Sequence, residues 1–177
     1  DANAESYVGS NSYQQSQVCF GVISKILRAL DPTLRRFKIN REQVFNRMPG
    51  KMSISRCLAS AADRLDGLNA SLVIIDEYAQ AESDALKSVL TSSMGARRNP
   101  LTFVITTASD KTDTPFIEML EAYKAILRGE AENDAIFAHV FEPDVLDEEG
   151  DPNTWAKVQP HLGVTVRPEY YAAEYEK

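Results

Sequence analysis

The chain has 177 residues, enough for one domain with a real core, and its 44% apolar and 25% charged residues are ordinary for a soluble globular protein. No stretch approaches the ~18 consecutive apolar residues of a membrane span, and no basic-then-apolar leader opens the sequence. The net charge of −7 argues against a surface that binds nucleic acid all over, and two unclustered cysteines, Cys19 and Cys57, exclude a zinc ribbon and fit a reducing compartment.

In chain order, Tyr7 to Ser10 reads as a short buried strand. Val18, Val22, Ile23, Ile26, Leu27 and Leu30 recur at helical spacing, so a helix follows, capped by Asn11 or Ser12 and ended by Asp31-Pro32. Phe37 to Asn40 predicts a strand. Gln43 to Arg47 and Lys51 to Leu58 flank Pro49-Gly50 as the arms of a hairpin. This region is basic: seven Lys/Arg and a single acid, Glu42, lie between Arg35 and Arg56, against sixteen acids and six bases from Asp110 onward. A solvated hairpin and a local nucleic-acid contact both fit such a stripe.

Leu72 to Ile75 is apolar and β-branched without alternation, the pattern of a strand buried on both faces of a parallel sheet. Leu101 to Thr106 repeats it, and Ala81 to Ser93 between them is helix-like, giving a right-handed βαβ unit. Thr114-Pro115 predicts a capped helix start, Phe116, Met119, Leu120, Tyr123, Ile126 and Leu127 its buried stripe, and Gly129 its stop. Ile136 to Phe141 reads as one more strand, with His139 a structural residue in it. An acidic loop, Trp155 and a helix starting near Pro168 complete the chain, and the composition shift near Glu142 suggests units of 1–142 and 143–177. The fold expected is α/β: a mostly parallel sheet with helices on both faces and a small hairpin.

The chemistry concentrates where the first apolar strand ends, in Asp76-Glu77. A hydrophobic strand ending in two acids is the Walker B pattern of P-loop ATPases. Asp76 would hold a Mg²⁺ that bridges nucleotide phosphates, and Glu77 would orient or deprotonate the attacking water. The same pair also suits a plain helix start, with Asp76 as cap. The next strand ends in Thr106 and Thr107, placed to sense a γ-phosphate; as a bare pair, two threonines only favour a strand.

Taken together, Asp66-Gly67-Leu68-Asn69-Ala70-Ser71, then Leu72 to Glu77, then Gly95-Ala96-Arg97, then Ile105-Thr106-Thr107-Ala108, resemble the ATPase domain of tailed-phage or prophage large terminases. Ala70 stands where that family commonly has proline. Trp155-Ala156-Lys157-Val158-Gln159-Pro160-His161-Leu162-Gly163 is similar to the family's linker toward a nuclease domain, departing from it at Val158 and Gln159. The resemblance runs from about Tyr7 to Gly163. It implies an ATP- and Mg²⁺-dependent motor in the host bacterial cytoplasm. The motor would form a homo-oligomeric ring on a portal protein, thread double-stranded DNA and work with a small terminase subunit. Thr106 and Thr107 fall in the coupling motif, and Arg64, Arg97 and Arg98 are the candidates for an arginine finger, since Asp66 occupies the position some packaging ATPases use. No Gly-x-x-x-x-Gly-Lys-Ser/Thr occurs, so the chain is expected to start after the phosphate-binding loop and to hydrolyse ATP poorly alone. A helicase-like P-loop ATPase and a non-catalytic interaction module are the alternative readings. The acids Asp144, Asp147, Glu148, Glu149 and Asp151 read as a solvated loop rather than a metal site, and nuclease acids are expected beyond the linker.

Overall fold

A computed structural model describes residues 3–58 and 67–176. Arg64 and Asp66 lie outside the described residues. The chain divides into two compact units, 1–122 and 123–177.

The first unit is built on a six-stranded sheet of order β2-β3-β4-β1-β5-β6. Its strands are β1 (Glu5–Ser10), β2 (Phe37–Ile39), β3 (Gln43–Asn46), β4 (Ile54–Cys57), β5 (Leu72–Asp76) and β6 (Leu101–Ile105). β4, β1, β5 and β6 run parallel, whereas β2, β3 and β4 form an antiparallel flank. Successive side chains of β1 point to opposite faces, so Tyr7 enters one apolar layer with Val73 and Ile75, and Val8 enters another with Phe20, Val44 and Cys57. Helices cover both layers.

Helix α1 (Tyr13–Leu30) starts at Ser12, whose side chain accepts from the Gln15 amide at 3.2 Å, and ends at Asp31, as its capping residues predict. The apolar stripe is a correction. Ser16 and Phe20 are the buried positions, with Ile23 and Leu27 packed partly behind them, while Val18, Val22, Ile26 and Leu30 are exposed. The apolar arc of the helix is wider than the single sheet face it rests on, so only its 16-20-23-27 side is covered.

Helix α2 (Ala85–Ser92) is shorter than predicted because a 3₁₀ turn, Tyr78–Gln80, takes the chain off β5 first. It lies close to β1: a Cβ on Gly9 would sit 3.1 Å from Leu86 Cδ2, so glycine there lets Leu86 pack on the strand without shifting. β6 also departs from expectation. It is the edge of the sheet, with Leu101, Phe103 and Ile105 half exposed, because no described strand pairs with its outer side. Helix α3 (Pro115–Leu127) begins at the predicted proline, but Thr114 Oγ1 is buried with no partner among the described residues. Its carbonyl, not its hydroxyl, closes the first turn by accepting from Ile117 N at 3.0 Å. Phe116, Ile117, Met119 and Leu120 join the core, and Gly129 stops the helix at a positive φ of 72°.

In the second unit, 136–141 forms no strand. The alternation is present, with Phe137, His139 and Phe141 exposed and the residues between them half-buried, but no described strand lies alongside to exchange ladder hydrogen bonds. His139 instead stacks on Phe141 with ring centroids 4.4 Å apart. The small core here is Trp155, on helix α4 (Pro152–Val158), against Tyr171 and Tyr175 of helix α5 (Pro168–Tyr175). α4 was not anticipated, although Asp151-Pro152 is a cap followed by proline at the first helical position. Lys157 bridges two acids of the loop, Asp144 at 2.7 Å and Asp147.

Candidate functional site

β1 is followed by α1 and leads to β4 on one side of the sheet; β5 is followed by α2 and leads to β6 on the other. The two helices leave on opposite faces. The carboxyl ends of β1 and β5 therefore flank a topological switch point, where open α/β sheets bind ligands. Ser10 and Asp76 are register partners across it. A cleft of about 320 Å³ opens on the Ser10 side, lined in part by Ser10, Asn11, Tyr78, Gln80 and Leu86 and not by Asp76 or Glu77.

Glu77 leaves the strand in the left-handed region, φ 56° and ψ 43°. A non-glycine residue there is uncommon and holds that shape only when its surroundings impose it. They do so from three directions. Asn11 Nδ2 donates to the Glu77 carbonyl at 3.0 Å, Thr107 Oγ1 donates to Glu77 Oε2 at 3.2 Å, and the Ala79 amide of the following turn donates to Thr106 Oγ1 at 2.9 Å. Thr106 in turn donates to the Thr107 carbonyl at 3.0 Å. The end of β6 is thus stitched to the turn that carries the carboxylate.

Asp76 is half-buried, and burial, followed by the neighbouring Glu77 charge, pushes its carboxyl above the usual carboxylate range. Such a group gains from a cation. Among the described residues no three acids, histidines or cysteines gather as a metal cage. One carboxylate at a strand end still fits a Mg²⁺ that takes its remaining ligands from water and phosphate. The second side of the cleft is fixed by Lys87, 2.8 Å from Asp84 Oδ1 and 5.1 Å over the Tyr78 ring. Farther along, Lys111 Nζ reaches the Gln80 carbonyl at 3.3 Å.

Four of the sequence-predicted residues come together here: Asp76, Glu77, Thr106 and Thr107. The arginines do not join them. Arg97 is spent at the opposite end of β5, where its guanidinium donates to the Asn69 carbonyl at 2.6 and 3.0 Å and to the Asn3 carbonyl at 2.9 Å. Arg98 is exposed, and Arg64 lies outside the described residues. In the sequence Asn11 presents itself only as a possible helix cap. An asparagine just past a strand gives no warning that it will meet a carbonyl 66 positions away; the β1–β5 register decides that.

Residues 1–125 match the family model described as terminase large subunit, ATPase domain. The chain belongs to that family. Protein YmfN of Escherichia coli K12 is 31% identical over 112 residues, 63% of this chain and 25% of YmfN. The fold resembles the crystal structure of the bacteriophage HK97 large terminase, with a TM-score of 0.80 and 22% identity over 99% of this chain and 36% of that one. It also resembles a large terminase ATPase domain from Thermus phage P74-26, with a TM-score of 0.53 and 18% identity over 86% and 58% of the two chains. The terminase ATPase chain described here therefore spans about a quarter of YmfN and about a third of the HK97 protein.

Proposed function

We propose that this chain carries the hydrolytic edge of a DNA-packaging ATPase. The observation that carries the reading is the left-handed Glu77, held by Asn11 and Thr107 beside Asp76 at the switch point. In this reading Asp76 is the strand-end acid of a Walker B motif and contributes the carboxylate ligand of Mg²⁺. The ion, when bound, neutralises charge on the β- and γ-phosphates of ATP. Glu77 faces the position of the attacking water and takes its proton. Thr107 orients that carboxylate, and Thr106 ties the turn after β5 to the end of β6, so a change at the γ-phosphate is felt in the loop that follows. This is the coupling step from hydrolysis to movement of double-stranded DNA.

This sequence holds no glycine-rich phosphate loop, and in this reading the phosphate cradle is supplied by another polypeptide segment. The open outer side of β6, next to Thr106 and Thr107, is where a strand carrying such a loop would pair. Without it the isolated chain turns over ATP poorly or not at all. Family membership supports a homo-oligomeric ring on a portal protein, a small terminase subunit as partner and work in the cytoplasm of a bacterial host. Among the described residues no helix is long and apolar enough to cross a membrane. Arg98 remains available as an arginine donated to a neighbouring subunit; Arg97 would first have to break three hydrogen bonds.

The test is DNA-stimulated ATP hydrolysis by a longer polypeptide with the upstream coding sequence restored, run beside its Glu77→Gln form and this 177-residue chain. Turnover only in the unsubstituted long form supports the reading. Equal turnover with Glu77→Gln would discard Glu77 as the catalytic carboxylate, and no turnover in any form would point to a non-catalytic interaction module.

A further inference from the structure

The turn that follows β5 is fastened on its two sides in unequal ways. Toward α2 it is anchored by a buried ring and a charged network. Tyr78 is 2% exposed, its hydroxyl donates to Asp84, and Asp84 also accepts from Lys87 Nζ at 2.8 Å and from Ser88 Oγ at 2.6 Å. Toward β6 the turn meets the loop 107–113, which follows the strand without regular structure and is mostly exposed. Among the described residues that loop makes no backbone–backbone hydrogen bond, so side chains alone hold it.

Beyond the contacts of Thr106 and Thr107 lie two more that the hydrolytic reading leaves without a role. Gln80 Nε2 donates to Ser109 Oγ at 3.4 Å, and Lys111 Nζ donates to the Gln80 carbonyl at 3.3 Å. The Lys111 amide donates to the same Ser109 hydroxyl at 3.1 Å, so one oxygen ties the loop to itself and to Gln80. Gln80 ends the 3₁₀ turn, and among the described residues its carbonyl takes no backbone amide. The Lys111 ammonium supplies the donor that this carbonyl lacks. Both bonds to Gln80 are long and lie near the surface, where water competes, so they open more readily than the Tyr78 anchor. Thr114 ends the loop with a buried hydroxyl that has no partner among the described residues. An unpaired buried hydroxyl costs free energy, and a shift of the loop that turned it onto the first turn of α3 would recover it. One attachment is thus fixed and the other releasable.

We propose that Lys111, with Gln80 and Ser109, is a positioning group that clasps the loop 107–113 to the turn carrying Glu77. Release of the clasp lets the loop swing while the turn stays on α2. The proposal rests on the packaging reading for what the swing does, which is to pass hydrolysis on as movement of DNA; the clasp itself stands on geometry. Lys111 meets the turn at Gln80, three residues past Glu77, so its loss should spare the chemistry and spoil its transmission.

The experiment has two arms. In the 177-residue chain, with Cys19→Ser and Cys57 left buried, a nitroxide on Thr112→Cys reports the mobility of the loop, and one on Ser92→Cys at the end of α2 is the control. Lys111→Met keeps the reach of the side chain and loses its donor. It should shorten the rotational correlation time at position 112 at least ~twofold and leave that at position 92 unchanged. In the longer polypeptide with the upstream coding sequence restored, Lys111→Met should hold kcat and KM for ATP within about twofold of the parent. The DNase-protected DNA packaged into portal-bearing procapsids per ATP hydrolysed should fall at least ~5-fold, the scale of one lost hydrogen bond. Lys111→Arg, which restores the donor, should recover both the slow label and the packaging yield. Three results each overturn the clasp: a label at position 112 unmoved by Lys111→Met, packaged DNA per ATP kept at the parent value, or turnover and packaging that fall in proportion. Glu77→Gln separates this proposal from the one beneath it. Turnover that survives Glu77→Gln sinks the motor reading, whereas an unmoved label with turnover still dependent on Glu77 sinks only the clasp.

Discussion

β5 and β6 are neighbours in the sheet with nearly the same composition, yet their environments differ sharply. On one face of the sheet Ile74 of β5 is half-buried, whereas its register partner Phe103 and the following same-face Ile105 of β6 are each 51% exposed. β5 is sandwiched between β1 and β6, with apolar layers on both faces; β6 has a partner on one side only. An unalternating apolar run therefore states that a strand expects to be covered, not that the residues present cover it. An apolar edge left open is an invitation to pair, and among the described residues it lies beside Thr106 and Thr107.

Substitutions at the ends and middles of these strands sharpen or break the contrast. The largest effect is expected at the end of β5: Glu77→Gln in the longer polypeptide should lower turnover by at least ~10²-fold, as loss of a general base does. Thr107→Val at the end of β6 should lower it by only about tenfold, since one orienting hydrogen bond is worth on the order of 1–1.5 kcal/mol. A steady-state assay with nucleotide affinity measured in parallel separates the two, and equal losses would mean that both residues serve structure alone.

Burial comes next. Val73→Ala should cost about 2 kcal/mol in urea unfolding of this chain, and Phe103→Ala no more than about 1 kcal/mol despite the larger side chain removed. The reverse order would mean that the outer side of β6 is covered in solution, by self-association for example.

Asn11→Ala removes the donor that holds the left-handed Glu77 backbone from the β1 side. Turnover of the longer polypeptide should fall about tenfold through kcat with KM kept, for the loss of one such bond. Asn11→Asp, which keeps the size but loses the donor, should behave alike, and full activity in both would remove Asn11 from the site.

The smallest effect is expected at Asp76. Its carboxyl is held above the usual range by burial and then by Glu77, so folding binds its proton more tightly than the unfolded chain does. The ionised form thus costs stability. The cost is absent below the unfolded value, grows as pH rises toward the folded value, and is complete above it. Asp76→Asn should raise the melting temperature slightly at neutral pH without divalent cation, with no gain at acidic pH. A drop at neutral pH would show that the carboxylate is already paired.

By itself the sequence determined the elements and their chemistry. Short-range rules suffice for the β-branched run of β5, the Ser12 cap, the Asp31-Pro32 stop, the Pro115 start and the acids at a strand end, because caps, turns and strand propensity act over a few residues. What it could not supply was everything set by long-range register and coverage. The burial of Phe20 rather than Val18, the edge position of β6, the unpaired 136–141 segment and the bond from Asn11 to Glu77 each depend on which element lies alongside. The pairing of Arg36 with Arg47 is of the same kind: the sequence shows two arginines eleven residues apart, and only the turn of an antiparallel flank makes them neighbours. Burial and charge contact are properties of the space between elements, and that space exists only once the chain has folded.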